Sequence, residues 1–131
     1  MIVLDTSVLV DALTGPRRSA PALRRAIERG ERVVLTSLVL YEWLRGPRVP
    51  RELAAQEALF PGEMALGFGT EEAARAAQLY RTLRTPRGRE IDIAIAACAI
   101  SLAATLWTLN TKDFEDIPGL EVARPSWPRG L

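Results

Sequence analysis

The chain opens with a short apolar run, Ile2 to Leu4, closed at once by Asp5, which reads as a buried strand. Thr6 to Leu13 predicts a helix that ends at Gly15-Pro16. Ser19 to Arg29 carries Leu23, Ala26 and Ile27 at helical spacing and stops at Gly30. Arg32 to Leu35 is β-branched and reads as a second strand. Ser37 then caps a helix through Leu44, ended by Gly46-Pro47, and Arg51 to Phe60 predicts another. Met64 to Leu66 is a candidate strand. Thr70, followed by Glu71, Glu72 and an alanine-rich run to Leu83, has the signals of a helix start, and Pro86 and Gly88 break it. Ile91 to Ala103 is apolar nearly all round, which predicts a helix buried on most faces. Thr105 to Leu109 reads as a strand, Lys112 to Phe114 as a short turn, and Leu120 to Ala123 as an edge strand.

The resulting order is β-α-α-β-α-α-β-α-α-β-β. Strands separated by helices imply an α/β fold, a parallel sheet with helices on both faces. No repeat, low-complexity tract or linker interrupts the pattern, so residues 1–131 read as a single domain.

Composition removes several chemistries. The chain has no histidine, which excludes Ser-His and Cys-His nucleophile pairs, histidine acid–base ribonuclease chemistry and His-ligated metals. Cys98 is the lone cysteine, so an internal disulfide and a Cys-rich zinc site are excluded. A single thiol fits a reducing, cytoplasmic setting. The opening reaches Asp5 too soon for a signal peptide, and no apolar run approaches the ~18 residues of a membrane helix. Catalysis, if present, runs on carboxylates, hydroxyls, arginine or bound metal.

Charge balances overall, at 17 basic against 16 acidic residues, yet it is unevenly placed. Arg17 to Arg51 holds nine arginines and three acids; Glu52 to Glu72 holds five acids and no base. Arginine outnumbers lysine sixteen to one, the lysine being Lys112. A codon habit explains that bias as well as function does, although arginine forks suit phosphates.

Most of the acids, such as Glu28, Glu31, Glu52, Glu57, Glu71 and Glu72, lie in polar surroundings that read as solvated faces. Four are placed otherwise. Asp5 ends the first strand. Glu42 lies inside Leu38-Val39-Leu40-Tyr41-Glu42-Trp43-Leu44, where a carboxylate is costly to bury unpartnered. Asp92 is the charged residue within the apolar helix, and Asp113 follows the Leu106-Trp107-Thr108-Leu109 strand. Each has an ordinary reading: Asp5 as a helix cap, Asp92 as a complement to its helix dipole, Asp113 as a turn residue. Topology nevertheless sends all four to the carboxyl edge of one parallel sheet, where open α/β sheets bind ligands. Crowded carboxylates take up protons or bind a cation. Oxygen ligands without histidine or thiolate select Mg²⁺ or Mn²⁺. Metal-assisted phosphodiester hydrolysis is the reaction class this inventory suits best. Arg87, Arg89 and Lys112 flank the predicted mouth and are candidate phosphate contacts, against the ordinary reading of a solvated loop. Tyr41 and Trp43 are candidates for base stacking or a dimer seal, with helical core the more ordinary place for Trp43.

Taken together, Ile2-Val3-Leu4-Asp5-Thr6-Ser7, the Glu42 helix, Asp92-Ile93-Ala94-Ile95-Ala96-Ala97 and Thr108-Leu109-Asn110-Thr111-Lys112-Asp113-Phe114 resemble the PIN domain. Within it the chain is similar to the ribonuclease toxins of VapBC toxin–antitoxin pairs, over essentially its whole length. Each motif is weak alone, but in this order the set is specific. The resemblance implies a parallel sheet of about five strands and an endoribonuclease dependent on Mg²⁺ or Mn²⁺. Asp5, Glu42, Asp92 and Asp113 match the acidic quartet, with Asp5 and Asp92 as the direct metal ligands and the other two completing the cluster or acting through water. Asp113 rather than Asp116 carries the N-x-x-D-F context. Ser7, Thr108 and Asn110 match polar positions that orient the acids or the attacking water. The resemblance also implies a homodimer inhibited by a cognate antitoxin protein.

Three other readings compete. A phosphotransfer receiver needs a mid-chain strand ending in Asp and a lysine directly after a late strand; neither is present. A haloacid-dehalogenase-type phosphatase needs Asp where Ser7 stands. A non-catalytic nucleic-acid or protein-binding module on the same fold is opposed by the intact quartet, and an activity assay separates the two.

Overall fold

The computed structural model describes residues 1–126. In chain order the elements are β1 (Ile2–Leu4), α1 (Thr6–Leu13), α2 (Ala20–Glu28), β2 (Val33–Val34), α3 (Ser37–Arg45), α4 (Pro50–Leu59), α5 (Thr70–Thr82), α6 (Glu90–Ser101), β3 (Thr105–Trp107) and β4 (Glu121–Ala123). The four strands form one sheet in the order β2-β1-β3-β4, parallel at every pairing. Val3 and Leu4 are both fully buried although they face opposite sides of the sheet, so helices cover both of its faces.

Register decides where the chemistry goes. Leu4 pairs with Trp107, and the ladder continues through the Asp5 amide to the Trp107 carbonyl at 2.8 Å. One step beyond that pair stand Asp5 and Thr108, side by side at the carboxyl edge of the two central strands. α6 enters beside them. It packs against α5, α3 and β3, and Ile93 through Ala99 are buried without interruption, as an all-apolar helix requires.

Two expectations are corrected. Of the candidate strand Met64 to Leu66, Met64 closes a 3-10 turn, Gly62–Met64, Ala65 is extended, and a single parallel bridge joins Leu66 to Thr36. Pro61-Gly62 starts the turn and leaves Met64 exposed, so only Leu66 reaches the ladder, through the Leu35 carbonyl and the Ser37 amide. The sheet therefore has four strands among the described residues, slightly fewer than about five, and the expected parallel α/β architecture holds. The cap of α3 is Thr36 and not Ser37: the Thr36 hydroxyl accepts from the Val39 amide at 3.2 Å. Among the described residues no helix is long and apolar enough to cross a membrane.

Candidate active site

Asp5 occupies the N-cap position of α1, yet its side chain caps nothing. Its carboxylate is buried and turns across the sheet edge, where Oδ2 accepts from the Ser7 hydroxyl at 2.9 Å and from the Thr108 hydroxyl at 2.7 Å. Those hydroxyls are tied in turn to the strand end: the Leu109 amide donates to Ser7 Oγ and the Asn110 amide to Thr108 Oγ1, each at 3.0 Å. Hydrogen bonds from fixed donors hold the buried charge in place. Both hydroxyls act on one oxygen, and among the described residues none donates to Oδ1.

Glu42 projects from α3 with its side chain 17% exposed. The Thr6 hydroxyl donates to Oε1 at 2.5 Å, and Arg45, one turn along the helix, approaches Oε2 at 3.4 Å. Asp92 lies in the first turn of α6, partly buried. Desolvation, with the negative charges of Asp5, Glu42 and Asp113, pushes its carboxyl up to about 6 despite the opposing Arg89. The four acids thus meet electrostatically at Asp92. Asp5, Glu42 and Asp92 also line one open cleft of about 530 Å³, together with Ser7 and Asn110.

Asp113 is placed differently. It ends the 3-10 turn Thr111–Asp113 after β3 and is exposed; its charge reaches Asp92, but it does not line the cleft. Arg87 and Lys112 are exposed nearby. Arg89 does not stand free: its guanidinium forks onto Asp116 at 2.9 and 2.6 Å, and that bond holds the Asp116 carboxyl below its usual range. Trp43 is fully buried with the Arg48 guanidinium 4.2 Å from its ring, whereas Tyr41 is exposed under Arg45. Two cleft residues escaped the sequence reading: Thr6, which holds Glu42, and Asp11. A signal for Asp11 existed, because Ser7, Val10, Asp11 and Thr14 recur at helical spacing and lay one face of α1 along the cleft.

Among the described residues no three metal-ligating side chains stand close enough together to enclose an ion. Mg²⁺ does not ask for that. It keeps several waters and is held by one or two carboxylates plus substrate phosphates. A pinned Asp5, a carboxyl at Asp92 made proton-avid by burial and by its acidic neighbours, and the open cleft they line suit such an ion better than a closed cage would.

Comparison with known proteins fits this geometry. The PIN domain family model matches residues 2–120, and the chain belongs to that family. Ribonuclease VapC19 of Mycobacterium tuberculosis is 38% identical over 124 residues, which span 92% of this chain and 98% of the relative. Of the solved structures, DNA-bound VapBC from Salmonella typhimurium aligns with a TM-score of 0.76 at 24% identity, over 95% of this chain and 98% of that one. A toxin-antitoxin complex from Klebsiella pneumoniae aligns at 0.72 with 25% identity, over 98% and 100%.

Proposed function

We propose that this chain is a single-domain, metal-dependent endoribonuclease, the toxin of a toxin–antitoxin pair, that hydrolyses RNA phosphodiester bonds at the cleft lined by Asp5, Glu42 and Asp92. The observation that carries the reading is a convergence of carboxylates: Asp5, Glu42 and Asp92 line one cleft at the carboxyl edge of the sheet, and the charge of Asp113 reaches Asp92. A protein with no cation to bind gains nothing from such a concentration of like charge. The 38% identity to a named ribonuclease across nearly the whole chain supports the same conclusion.

Asp5 and Asp92 would hold Mg²⁺ or Mn²⁺, with Glu42 and Asp113 completing the acidic set directly or through water. When bound, the ion polarises a phosphoryl oxygen and lowers the pKa of coordinated water. The protein's share is positioning. Ser7 and Thr108 fix Asp5. Thr6 and Arg45 fix Glu42, and Asn110 closes the cleft wall. Arg87 and Lys112 are placed to meet phosphate.

Solved relatives that are toxin–antitoxin complexes support a cognate antitoxin as partner, and a homodimer and a cytoplasmic location are part of the same proposal. A second groove, between α1, α2 and α4, has the chemistry for a protein partner: Leu13, Leu23, Ile27 and Leu59 line it together with Arg17, Arg24 and Arg51, against the single acid Glu28. An acidic amphipathic segment would satisfy both.

The test is cleavage of a structured RNA pool by the purified protein with Mg²⁺ or Mn²⁺, against EDTA and against Asp5→Asn. Cutting that needs the cation and disappears in the folded variant is the expected result. A folded wild-type protein that neither binds the cation nor cuts RNA would make the chain a binding module on the same fold.

A further inference from the structure

We propose that Arg89 is a positioning residue for the acidic site: through Asp116 it fixes the turn that carries Asp113 against the start of the helix that carries Asp92. The inference rests on the reading that these two acids serve one site. Arg89 Nη1 donates to Asp116 Oδ2 at 2.9 Å and to the Thr85 carbonyl at 3.2 Å; Nη2 donates to Asp116 Oδ1 at 2.6 Å and to the Asp113 carbonyl at 2.9 Å. A guanidinium has five N–H donors. Four are engaged here, so Arg89 has little left to offer an RNA phosphate.

The geometry joins three pieces of chain. Thr85 lies in the loop after α5, Arg89 immediately precedes α6, and Asp113 and Asp116 flank the end of the turn after β3. Gly88, at φ +84°, makes the reversal that delivers Arg89 to this position. On the other side the turn is pinned from below by Phe114 and Ile117, exposed by only 1% and 3%. Among the described residues nothing donates to the Asp113 carboxylate. Its place is therefore set by its backbone, which Arg89 grips at the carbonyl while the amide bonds Asn110 at 2.9 Å. The Arg89 side chain is 20% exposed and that of Asp116 47%, so solvent screens the charges, and the hold on the turn rests on the paired hydrogen bonds of the fork and on the Asp113 carbonyl. The fork also needs arginine, because lysine offers a point charge and no parallel pair of bonds.

A simple electrostatic role makes the opposite forecast. Arg89 is a positive charge near the acids, so removing it should tighten cation binding if charge alone matters. Positioning says that binding loosens. The experiment measures Mn²⁺ affinity by calorimetry without RNA, for wild type, Arg89→Gln, Arg89→Lys and Asp116→Asn. Amide hydrogen exchange of the metal-free proteins and cleavage kinetics on the RNA pool accompany it. The expected result is about 10-fold weaker Mn²⁺ binding in all three variants. Exchange should quicken at the Asp113 and Phe114 amides but not within α6, and kcat should fall more than KM rises. Tighter binding in Arg89→Gln, unchanged binding in Arg89→Lys, or a rise in KM alone would overturn the proposal. If wild type neither binds Mn²⁺ nor cuts RNA, the functional reading fails, and hydrogen exchange alone decides whether the clamp exists.

Discussion

A carboxyl that keeps its proton up to about pH 6 ties the stability of this protein to the chemistry of its site. In the unfolded chain Asp92 titrates near the ordinary 3.8, and in the folded protein near 6. The native state therefore binds the extra proton between those values, and by linkage stability falls as pH rises through that window, with the full cost present above it. In EDTA, the melting temperature of wild type is expected to drop relative to Asp92→Asn as pH goes from 3.5 to 7.5. The variant should be several degrees more stable at the upper end, equal at the lower, and inactive on RNA. Parallel melting curves across the window would refute the raised value. The unusual residues were legible to different degrees. Glu42 and Asp92 announce themselves by their apolar neighbours, and Asp5 by ending a strand. Asp113 sits in an exposed, polar turn, marked in sequence by its place after a strand, and the N-x-x-D-F resemblance separates it from Asp116. Arg89 was legible as a charge but not as a clamp, because its partner lies 27 residues away.

Elements were easier to read where one local signal dominates. The all-apolar stretch of α6 has a single comfortable environment, and the structure buries it there. Strands were recovered where β-branched or apolar runs lie inside the sheet. Met64 to Leu66 looked like one because it is apolar, but whether such a run pairs is a tertiary matter, and Pro61-Gly62 turns the chain before more than one bridge forms. Helix caps shift by a residue for a similar reason, since Thr36 and Ser37 are equally good caps in sequence. Thr36 wins by being fully buried beside Leu66, with its hydroxyl on the Val39 amide. Thr36→Val keeps the shape, removes that acceptor and leaves a buried N–H unpaired. We expect a loss of about 1–2 kcal/mol in urea unfolding, with Thr36→Ser recovering most of it. A neutral Thr36→Val would mean that α3, and Glu42 with it, is held by packing alone.

At the scale of the whole molecule, the site exists only because the fold is complete. Asp5, Glu42, Asp92 and Asp113 come from the end of β1, from α3, from the start of α6 and from the turn after β3. The parallel sheet sets Asp5 beside Thr108, and the helices bring Glu42 and Asp92 to the same edge. An unfolded chain has no such arrangement, so a cation that needs it binds the native state alone. Folding and metal binding are then one linked equilibrium, worth about 2.7 kcal/mol at a hundredfold excess over Kd. Saturating Mn²⁺ should therefore raise the melting temperature of wild type at pH 7.5. The rise should shrink at pH 5, where a proton on Asp92 competes with the ion. It should nearly vanish in Asp5→Asn, even though that variant still folds. Ca²⁺ or added salt that stabilised the protein equally would show general screening rather than a site. If instead the shift follows pH through the Asp92 window and is lost with Asp5, the repulsion built into the empty fold is the same quantity that binds the ion.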